Sequence, residues 1–464
     1  MTPLGIAQTM AVRACVGLDM DVVRILEPAA GAGILVAAVV ETLLDREIPP
    51  NRIEVSLLEM DARLIPTLRK LSGKMRAAAK RKKVALSVSV KECDFLLSDT
   101  AVTRSARYDL IIANPPYFKL NKSAPQAVAH AYAVYGQPNI YGLFMAASAQ
   151  LLAPGGRWCF ITPRSWTNGS YFAAVRRHML AWLRIDAMHV FESRVAHFTD
   201  DDILQEAMIT WATAQGSPVP DILVSTSQGI HDLPTAAMRM LPAIRIVGSD
   251  IERTIALPLS EQDGSLPCSE TLDSLGLKVS TGPVVAFRAT RHISPGKGKN
   301  TVPLLWMQHV ARMAVSWPID KKREHIAACV DSAWMLVPNT PMVLLRRFSP
   351  KEDVRRITAA AYTGDLKGSQ IGLENHLNYI YRPGGLMSPT EAMGIAAYLN
   401  SWQVDVYLRS VAGSTQVNAR ELRQLPMPSA QQLEEIGQRC KAGMSLASLD
   451  GFVASVLTSA EMAA

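Results

Sequence analysis

Short apolar runs alternate with longer helix-forming stretches from residue 24 to about residue 211, and this alternation most constrains the fold. Each run has the length of one buried strand, and most intervals between the runs are long enough for a crossover helix. The pattern therefore predicts an α/β fold, in which helices cover a parallel sheet. The predicted strands are 24–26, 54–58, 85–90, 109–113, 157–162, 184–191 and 207–212.

The length of 464 residues exceeds the usual size of a single domain, so two domains are expected. The segment 215–220 is rich in residues that break helices and strands, and we place the boundary there. The prediction is an α/β domain over 1–215, a less regular α+β domain over 216–428 and a C-terminal helical segment over 429–464.

Composition excludes several classes of protein. The 48 basic and 41 acidic residues give a net charge of +7, which suits a polyanionic partner without requiring one. The six cysteines form no CxxC pair, which argues against a zinc site or a disulfide framework and favours a reducing compartment. We therefore expect no metal site. Because the apolar run 34–44 is too short to cross a bilayer, we also expect a cytoplasmic protein with no membrane association. The basic run Lys80-Arg81-Lys82-Lys83 is typical of an exposed helix end.

The first predicted strand leads into a turn of small residues, Glu27-Pro28-Ala29-Ala30-Gly31-Ala32-Gly33, which precedes a helix-forming stretch. Small residues allow a ligand to approach the backbone closely, although such a turn also occurs for packing alone. A dinucleotide site would carry the pattern GxGxxG, which is missing here. Glu27 is placed to meet a cationic amino group, so the turn favours the methyl donor S-adenosylmethionine.

Acidic residues follow the next two predicted strands. Glu59-Met60-Asp61 ends one strand, where a carboxylate can accept hydrogen bonds from ribose hydroxyls; Glu59 is the first choice and Asp61 the second. Asp94-Phe95 follows the other strand, where the acid can accept from an adenine amino group while the ring packs on the base. Each acid taken alone is equally typical of a helix cap, but their succession favours one cofactor site.

The fourth predicted strand ends in Asn114-Pro115-Pro116-Tyr117, and two consecutive prolines exclude both helix and strand beyond it. The stiff corner can hold the Asn114 side chain and the Pro115 carbonyl as paired acceptors for the two N–H groups of an amine. Positioning and electrostatics then supply the rate of methyl transfer. The Tyr117 ring is expected to stack on a base that has left the duplex. The predicted catalytic residues are Asn114, Pro115, Pro116 and Tyr117.

Together these motifs resemble those of the amino-methyltransferases of DNA, and more narrowly the gamma-class adenine-N6 enzymes of the Eco57I and PstI type. Thr2-Pro3 resembles the leading cofactor segment, which relatives usually precede with further residues and which here follows Met1 directly. Tyr141-Gly142-Leu143-Phe144 resembles the helix in which an aromatic ring flanks the cofactor adenine, a role this resemblance gives to Phe144. It implies a Rossmann-like methyltransferase domain that uses S-adenosylmethionine, followed by a target-recognition domain. The expected cofactor contacts are Thr2, Pro3, Glu27, Ala29, Gly31, Gly33, Glu59, Met60, Asp94, Phe95, Asn114 and Phe144.

The second half of the chain offers residues that suit DNA. Two segments, 279–288 and 413–418, resemble parts of PstI-type modification methylases. Arginines and lysines can hold phosphates, while Gln and Asn can read adenine. Phe198 is expected to press on the flipped base, and a core position is equally compatible with its pattern. The expected DNA contacts are Phe198, Arg288, Arg291, Lys297, Lys299, Arg346, Arg347, Gln416 and Asn418.

The resemblance implies a site-specific adenine methyltransferase of double-stranded DNA. The sequence leaves open whether a restriction endonuclease accompanies it and whether the protein is a monomer or a dimer. A methyltransferase of an RNA base or of a protein glutamine uses the same tetrapeptide, but usually without so large a C-terminal region. A DNA-binding relative that has lost catalysis is the remaining alternative, and the intact Asn114 and donor turn count against it.

Overall fold

A computed structural model of the chain describes residues 2–99, 107–191, 207–214, 219–248, 252–257, 266–294, 296, 298, 300–320, 323–348, 353–384, 387–411, 417–440 and 444–459. The chain divides into two compact units, Met1–Leu259 and Ser260–Ala464. No helix in these described ranges is long and apolar enough to cross a membrane.

The first unit is built on one mixed sheet with helices on both faces. Its described strands are β1 Val22–Glu27, β2 Arg52–Glu59, β3 Ala85–Glu92, β4 Tyr108–Ala113, β5 Leu152–Pro163, β6 Leu183–Phe191, β7 Ala207–Ala214, β8 Asp221–Ser227 and β9 Met238–Pro242. Its described helices are α1 Leu4–Ala14, α2 Ile34–Leu44, α3 Ile65–Arg81, α4 Pro125–Ala129, α5 Ile140–Ala149, α6 Ala173–Trp182 and α7 Ala243–Ile246.

The strand order is β3-β2-β1-β4-β5-β7-β6-β8-β9. Strands β1 to β5 run parallel, whereas β7 lies antiparallel between β5 and β6. The chain moves outward from β1 through β2 to β3 and then returns to the other side of β1 with β4. In open α/β sheets, such a reversal opens a crevice at the carboxyl ends of the strands, where ligands bind.

Two apolar cores, one on each face of the sheet, hold the helices in place. Helices α1, α2 and α3 pack on one face, around buried side chains such as Ile25 and Leu110. Helices α5 and α6 pack on the other face, around Ile111 and the stacked rings of Trp158 and Phe160. The apolar residues of the inner strands alternate between the two cores, so both faces of the central part of the sheet are covered, while the edge strands β3 and β9 contain no buried residue.

All seven predicted strands of this unit are confirmed, but the predicted boundary is placed differently by the structure. Strands β8 and β9 lie beyond 215–220 and still belong to the first sheet, because β8 pairs in parallel with β6 and β9 pairs with β8. Buried Ile222 and Val224 add β8 to the core of the first unit. The unit therefore extends to Leu259.

The second unit combines small sheets with a helical layer. Its described strands are β10 Lys278–Thr281, β11 Ile293–Ser294, β12 Thr301–Leu305, β13 Val310–Ala311, β14 Ala314–Val315, β15 His325–Ala327, β16 Leu336–Pro338, β17 Met342–Arg346, β18 Ala359–Tyr362, β19 Gln370–Leu373 and β20 Leu377–Tyr381. Its described helices are α8 Pro389–Leu399, α9 Trp402–Val411, α10 Ala419–Gln424, α11 Ala430–Arg439 and α12 Leu446–Ser459.

The strands form a four-stranded sheet β10-β20-β17-β18, a five-stranded sheet β11-β15-β12-β19-β16 and the pair β13-β14. The predicted C-terminal helical segment is not separate from this unit. Leu433 of α11 and Val453 of α12 lie in the same buried cluster as Val343 of β17, so these helices complete its core.

Gly33 ends the turn after β1 and packs closely against helix α3. Gly33 has a φ of 80° at the start of α2, and a Cβ placed there would lie 2.5 Å from Leu71 Cδ2 and 2.9 Å from Leu68 Cδ2 of α3. The position thus requires a left-handed backbone and close contact at once. A side chain at this position would separate α2 from α3.

We expect Gly33→Ala to lower the free energy of unfolding by about 3 kcal/mol, because it combines backbone strain with overpacking. Gly73→Ala is the matched control, since Gly73 lies inside α3 with open space around it. This control should raise the free energy of unfolding by about 0.5–1 kcal/mol. Urea denaturation of both variants measures the difference, and equal effects would contradict the packing argument.

Candidate active site

The carboxyl ends of the first strands border a cleft of about 430 Å³ in the first unit. Residues from the turn after β1, from the end of β2, from the segment after β3 and from the tetrapeptide after β4 all line it. The lining residues are Pro28, Ala29, Gly31, Glu59, Met60, Cys93, Asp94, Phe95, Asn114, Pro115, Pro116, Tyr117, Phe118, Leu120, Gln126, Ile140 and Phe144. The cleft lies where the strand order reverses, as expected for a ligand site.

Glu59 fixes the donor turn against the second strand. Its Oε2 accepts from the Gly31 amide at 2.7 Å, and its Oε1 accepts from the Asp61 amide at 2.8 Å. A further backbone bond joins the Ala30 amide to the Leu58 carbonyl at 2.9 Å. Gly31 has a φ of 55° and open space where a Cβ would lie, so its backbone faces the cleft without obstruction. The turn is thus held in shape by the same carboxylate that was predicted to bind ribose.

Asp94 is fixed in the same way beside two aromatic rings. Its Oδ1 accepts from the Leu96 amide at 2.9 Å, and its Oδ2 accepts from Gln126 Nε2 at 2.7 Å. The rings of Phe95 and Phe144 lie with their centroids 5.2 Å apart. The sequence prediction missed Gln126, which comes from the five-residue helix α4 and carries no motif that would reveal it. An apolar wall of two aromatic rings next to a polar acceptor suits an aromatic base.

The Asn114 amide is held at both ends. Its Nδ2 donates to Thr2 Oγ1 at 3.0 Å, and its Oδ1 accepts from the Tyr117 hydroxyl at 2.5 Å. The buried Thr2 thus meets the tetrapeptide, although neither Thr2 nor Pro3 lines the cleft. A carbonyl oxygen has two lone pairs, so Asn114 Oδ1 retains acceptor capacity toward the cleft.

Tyr117 lies among fixed partners. Its hydroxyl is also 3.0 Å from the Ile161 carbonyl of β5, and its ring meets Tyr141 edge-on at 5.8 Å. Burial raises the pKa of the Tyr117 hydroxyl, so this group remains a donor at neutral pH. The hydroxyl therefore orients Asn114, a role that the sequence prediction of base stacking did not include.

Two predicted cofactor contacts have structural tasks elsewhere. Glu27 is buried outside the cleft lining, and its Oε2 accepts from the Val36 amide of α2 at 3.1 Å. Burial raises the pKa of the Glu27 carboxyl well above its usual range, which makes it a poor counter-charge for an ammonium group. Gly33 is likewise packed against α3. Asp61, the second choice for ribose, caps the turn that follows and pairs with Arg63 at 2.7 Å.

Among the described residues, no group of three or more His, Cys, Asp or Glu side chains is arranged to hold a metal ion. The described cleft lining contains two acids, Glu59 and Asp94, and no Lys, Arg or His. Its electrostatic character therefore suits a cationic ligand.

The comparisons with known proteins agree with this geometry. The family described as Eco57I restriction-modification methylase matches residues 63–197. The Type II methyltransferase M.PstI of Providencia stuartii is 33% identical over 436 residues, which cover 90% of this chain and 85% of that protein. The chain belongs to the Type II methyltransferase family.

Two further comparisons extend this assignment. The Type II methyltransferase M.BsuBI of Bacillus subtilis is 32% identical over 426 residues, covering 89% of this methyltransferase and 84% of that protein. The solved structure of the Type IIL restriction-modification enzyme MmeI in complex with DNA covers 98% of this chain and 70% of its own, with a TM-score of 0.51 and 12% identity. The last likeness concerns the fold alone.

In the second unit of the methyltransferase, most of the predicted DNA contacts that are described already bond to their own chain. Arg346 Nε donates to the Val310 carbonyl at 2.6 Å, and Arg347 donates to the Asn375 carbonyl at 3.3 Å. Asn418 precedes α10, and its backbone amide donates to Glu421 at 3.0 Å. Arg288 lies over the exposed ring of Phe287, and Arg291 donates to His292 at 2.9 Å. Phe198, Lys297, Lys299 and Gln416 lie outside the described residues.

The two segments with family resemblance, 279–288 and 413–418, meet in this unit through a buried asparagine. Asn378 of β20 accepts from the Thr281 hydroxyl at 2.9 Å and donates to the Val417 carbonyl at 2.8 Å. The Val417 amide in turn donates to the Arg347 carbonyl at 2.8 Å. The described ends of these distant segments therefore lie at one place in the fold.

A histidine at the same place was missed by the sequence prediction. Glu374 is 1% exposed, and its carboxylate accepts from His376 Nδ1 at 2.7 Å and from the His376 amide at 2.9 Å. The His376 side chain is 46% exposed, and its ring lies 5.0 Å from that of Phe348. Since Nδ1 faces the carboxylate, Nε2 is the ring nitrogen available to a ligand. Spacing in the sequence offers no signal for this pair.

We expect Tyr117→Phe to lower kcat for methyl transfer about fivefold, because Asn114 loses a hydrogen bond worth about 1 kcal/mol to its orientation. Tyr141→Phe is the control, since it removes a hydroxyl bonded to Ser165 at 2.7 Å and leaves Asn114 untouched. Steady-state kinetics should show a loss of kcat for the first variant alone. An equal loss in both would mean that general packing, and not the Asn114 contact, sets the rate.

Proposed function

We propose that this methyltransferase transfers the methyl group of S-adenosylmethionine to N6 of an adenine flipped out of double-stranded DNA, as the modification enzyme of a restriction system. The observation that carries the proposal is the doubly held Asn114 amide at the edge of the cleft. An amide fixed in this way is a pre-oriented acceptor, and pre-orientation is what an enzyme needs where no covalent intermediate forms.

The exocyclic amine of adenine offers two N–H donors. Asn114 Oδ1 accepts one of them with its remaining lone pair, and the Pro115 carbonyl accepts the other. Both bonds draw the nitrogen away from planarity, which makes its lone pair available for attack. Neither acceptor is a base, so the proton that the nitrogen loses after methylation passes to water.

The residues present fit the proposed cofactor. Each carboxylate oxygen of Glu59 and Asp94 accepts one hydrogen bond within the protein and can accept a second. In the proposal, Glu59 accepts from the ribose hydroxyls and Asp94 accepts from the adenine amino group. Phe95 and Phe144 supply the apolar wall for the cofactor adenine, and Gly31 leaves its backbone open to the rest of the molecule. When bound, the cofactor supplies an electrophilic methyl group on a sulfonium centre. The acidic lining attracts that positive charge.

A base reaches such a cleft only when it leaves the helical stack, and aromatic surfaces then replace the lost stacking. Tyr117 and the half-exposed Phe118 both line the cleft and supply these surfaces. The hydroxyl of Tyr117 stays on Asn114 while one face of its ring receives the target base.

The second unit supplies the recognition of the DNA sequence in this proposal. The site where segments 279–288 and 413–418 meet offers the half-exposed His376, which suits phosphates and base edges. His376 is held by a buried carboxylate in a fixed direction, and fixed direction distinguishes a reading side chain from a solvated one.

Long-read sequencing of DNA from cells that express the protein tests the catalytic assignment. N6-methyladenine should appear in one sequence context with the unaltered protein and disappear with Asn114→Ala, while calorimetry shows that the variant still binds S-adenosylmethionine. The control is Asn121→Ala, since Asn121 is an exposed asparagine outside the cleft lining. Equal N6-methyladenine with Asn114→Ala and with the unaltered protein would contradict the proposal, and methylation of RNA or protein alone would favour the other substrates.

His376→Ala should lower kcat/KM on the specific duplex about tenfold to a hundredfold, because one directed contact to DNA is lost. The affinity for S-adenosylmethionine should not change. His231→Ala, which removes an exposed histidine of the first unit, is the control. Unaltered kinetics, sequence preference and salt dependence in His376→Ala would show that this histidine only completes the local turn.

A further inference from the structure

The segment 62–91, which contains α3 and most of β3, carries more positive charge than the whole protein. Residues 62–91 contain ten Lys and Arg and no Asp or Glu, whereas the net charge of the chain is +7. The rest of the chain thus has 38 basic and 41 acidic residues, a net charge of −3. Within Met1–Leu259, the residues outside this segment comprise 17 basic and 23 acidic side chains, a net charge of −6. The positive charge of the first unit is therefore concentrated in α3 and its flanks.

The helix presents these charges to solvent. Ile65, Leu68, Ser72, Met75 and Ala79 form its buried side, and the basic side chains occupy the remainder. We use the term α3 basic face for the exposed residues Arg69, Lys70, Lys74, Lys80, Arg81 and Lys83. No described acid pairs with any of these six, whereas Lys82 pairs with Asp45 and Arg63 pairs with Asp61.

Helix stability does not account for this arrangement. Cations in the last turn interact favourably with the helix dipole, which explains Lys80 and Arg81. Arg69 and Lys70 lie in the N-terminal half, where the dipole gives them no advantage. Lys70 and Lys74 stand four residues apart, a spacing at which like charges repel each other. The chain therefore tolerates a small loss of helix stability at this face.

The α3 basic face suits a dissolved polyanion better than a lipid bilayer. No large apolar side chain between residues 62 and 91 is among the exposed ones, so the helix has nothing to insert into a bilayer. Lys70, Lys74 and Arg81 form an outward row that spans about 16 Å along the helix. Measured along the DNA axis, this length corresponds to about five phosphate steps of one strand.

We propose that the α3 basic face binds the phosphates of duplex DNA without regard to sequence and holds DNA outside the recognition site. The inference rests on the proposed function only in taking duplex DNA as the polymer. Because phosphate contacts are not sequence-specific, the face lets the enzyme stay on long DNA while it searches for its site. It contributes to the encounter and not to the chemical step.

The test replaces Lys70, Lys74 and Arg81 together by Gln, a good helix former that removes the charge. The matched control is the triple variant Arg177→Gln, Arg245→Gln and Arg253→Gln, which removes the same charge from other exposed positions of the first unit. Circular dichroism checks the fold of both. Binding to a duplex without the recognition site is measured against salt concentration, and methylation is measured on short and on kilobase-length DNA.

The slope of log affinity against log salt concentration should become less negative by about 2 to 3 in the α3 variant, because each lost phosphate contact reduces the slope by about 0.9. Its kcat on short duplexes should stay unchanged, while the advantage of long DNA is lost. A salt slope equal to that of the control variant would overturn the proposal. Loss of binding to vesicles of anionic lipid, with unaltered DNA binding, would also overturn it. Failure of the proposed function is distinct, because the unaltered protein would then methylate no duplex at all.

Discussion

The Asn114 amide is the constraint around which the first unit is organised. Its nitrogen donates to Thr2, which precedes α1, and its oxygen accepts from the Tyr117 hydroxyl, whose single proton is shared between Asn114 and the Ile161 carbonyl of β5. Segments far apart in sequence must therefore be in place before this one side chain is fixed. The amide cannot rotate without breaking a bond at each end, so its acceptor points in one direction before any ligand binds.

The same principle applies to the acids at the neighbouring strand ends. Glu59 and Asp94 accept from backbone amides of the turns that carry them, and so each fixes its turn while it also lines the cleft. A site built in this way requires little reorganisation when a ligand binds. Such preorganisation of dipoles is the main source of electrostatic catalysis. The parallel strands make this possible, because their carboxyl ends all open at one edge of the sheet.

The sequence predicted well what depends on local pattern. The strands could be predicted from apolar runs. Gly31, Glu59, Asp94 and Phe144 were selected from their positions at strand ends or in a motif, and they line one cleft in the structure, while their role as cofactor contacts stays a prediction. Glu27 was predicted to contact the cofactor, but it lies outside the cleft lining. Its buried carboxylate instead accepts from the Val36 amide near the start of α2. Gln126 and the Glu374–His376 pair were missed because their places come from long-range packing. The boundary near 215 failed for a similar reason, since only strand pairing shows that β8 belongs to the first sheet.

The distribution of charge separates two requirements that conflict in one place. The described cleft lining holds two acids and no base, which suits the cationic methyl donor of the proposed function but repels the phosphates of DNA. A catalytic unit that is negative outside residues 62–91 cannot attract DNA through its cleft. In the proposed function the cations that contact DNA stand on other surfaces, and the α3 basic face offers them outside the described cleft lining. The basic helix and the acidic cleft thus meet two separate requirements of the proposed function, a cationic cofactor and a polyanionic substrate on one protein.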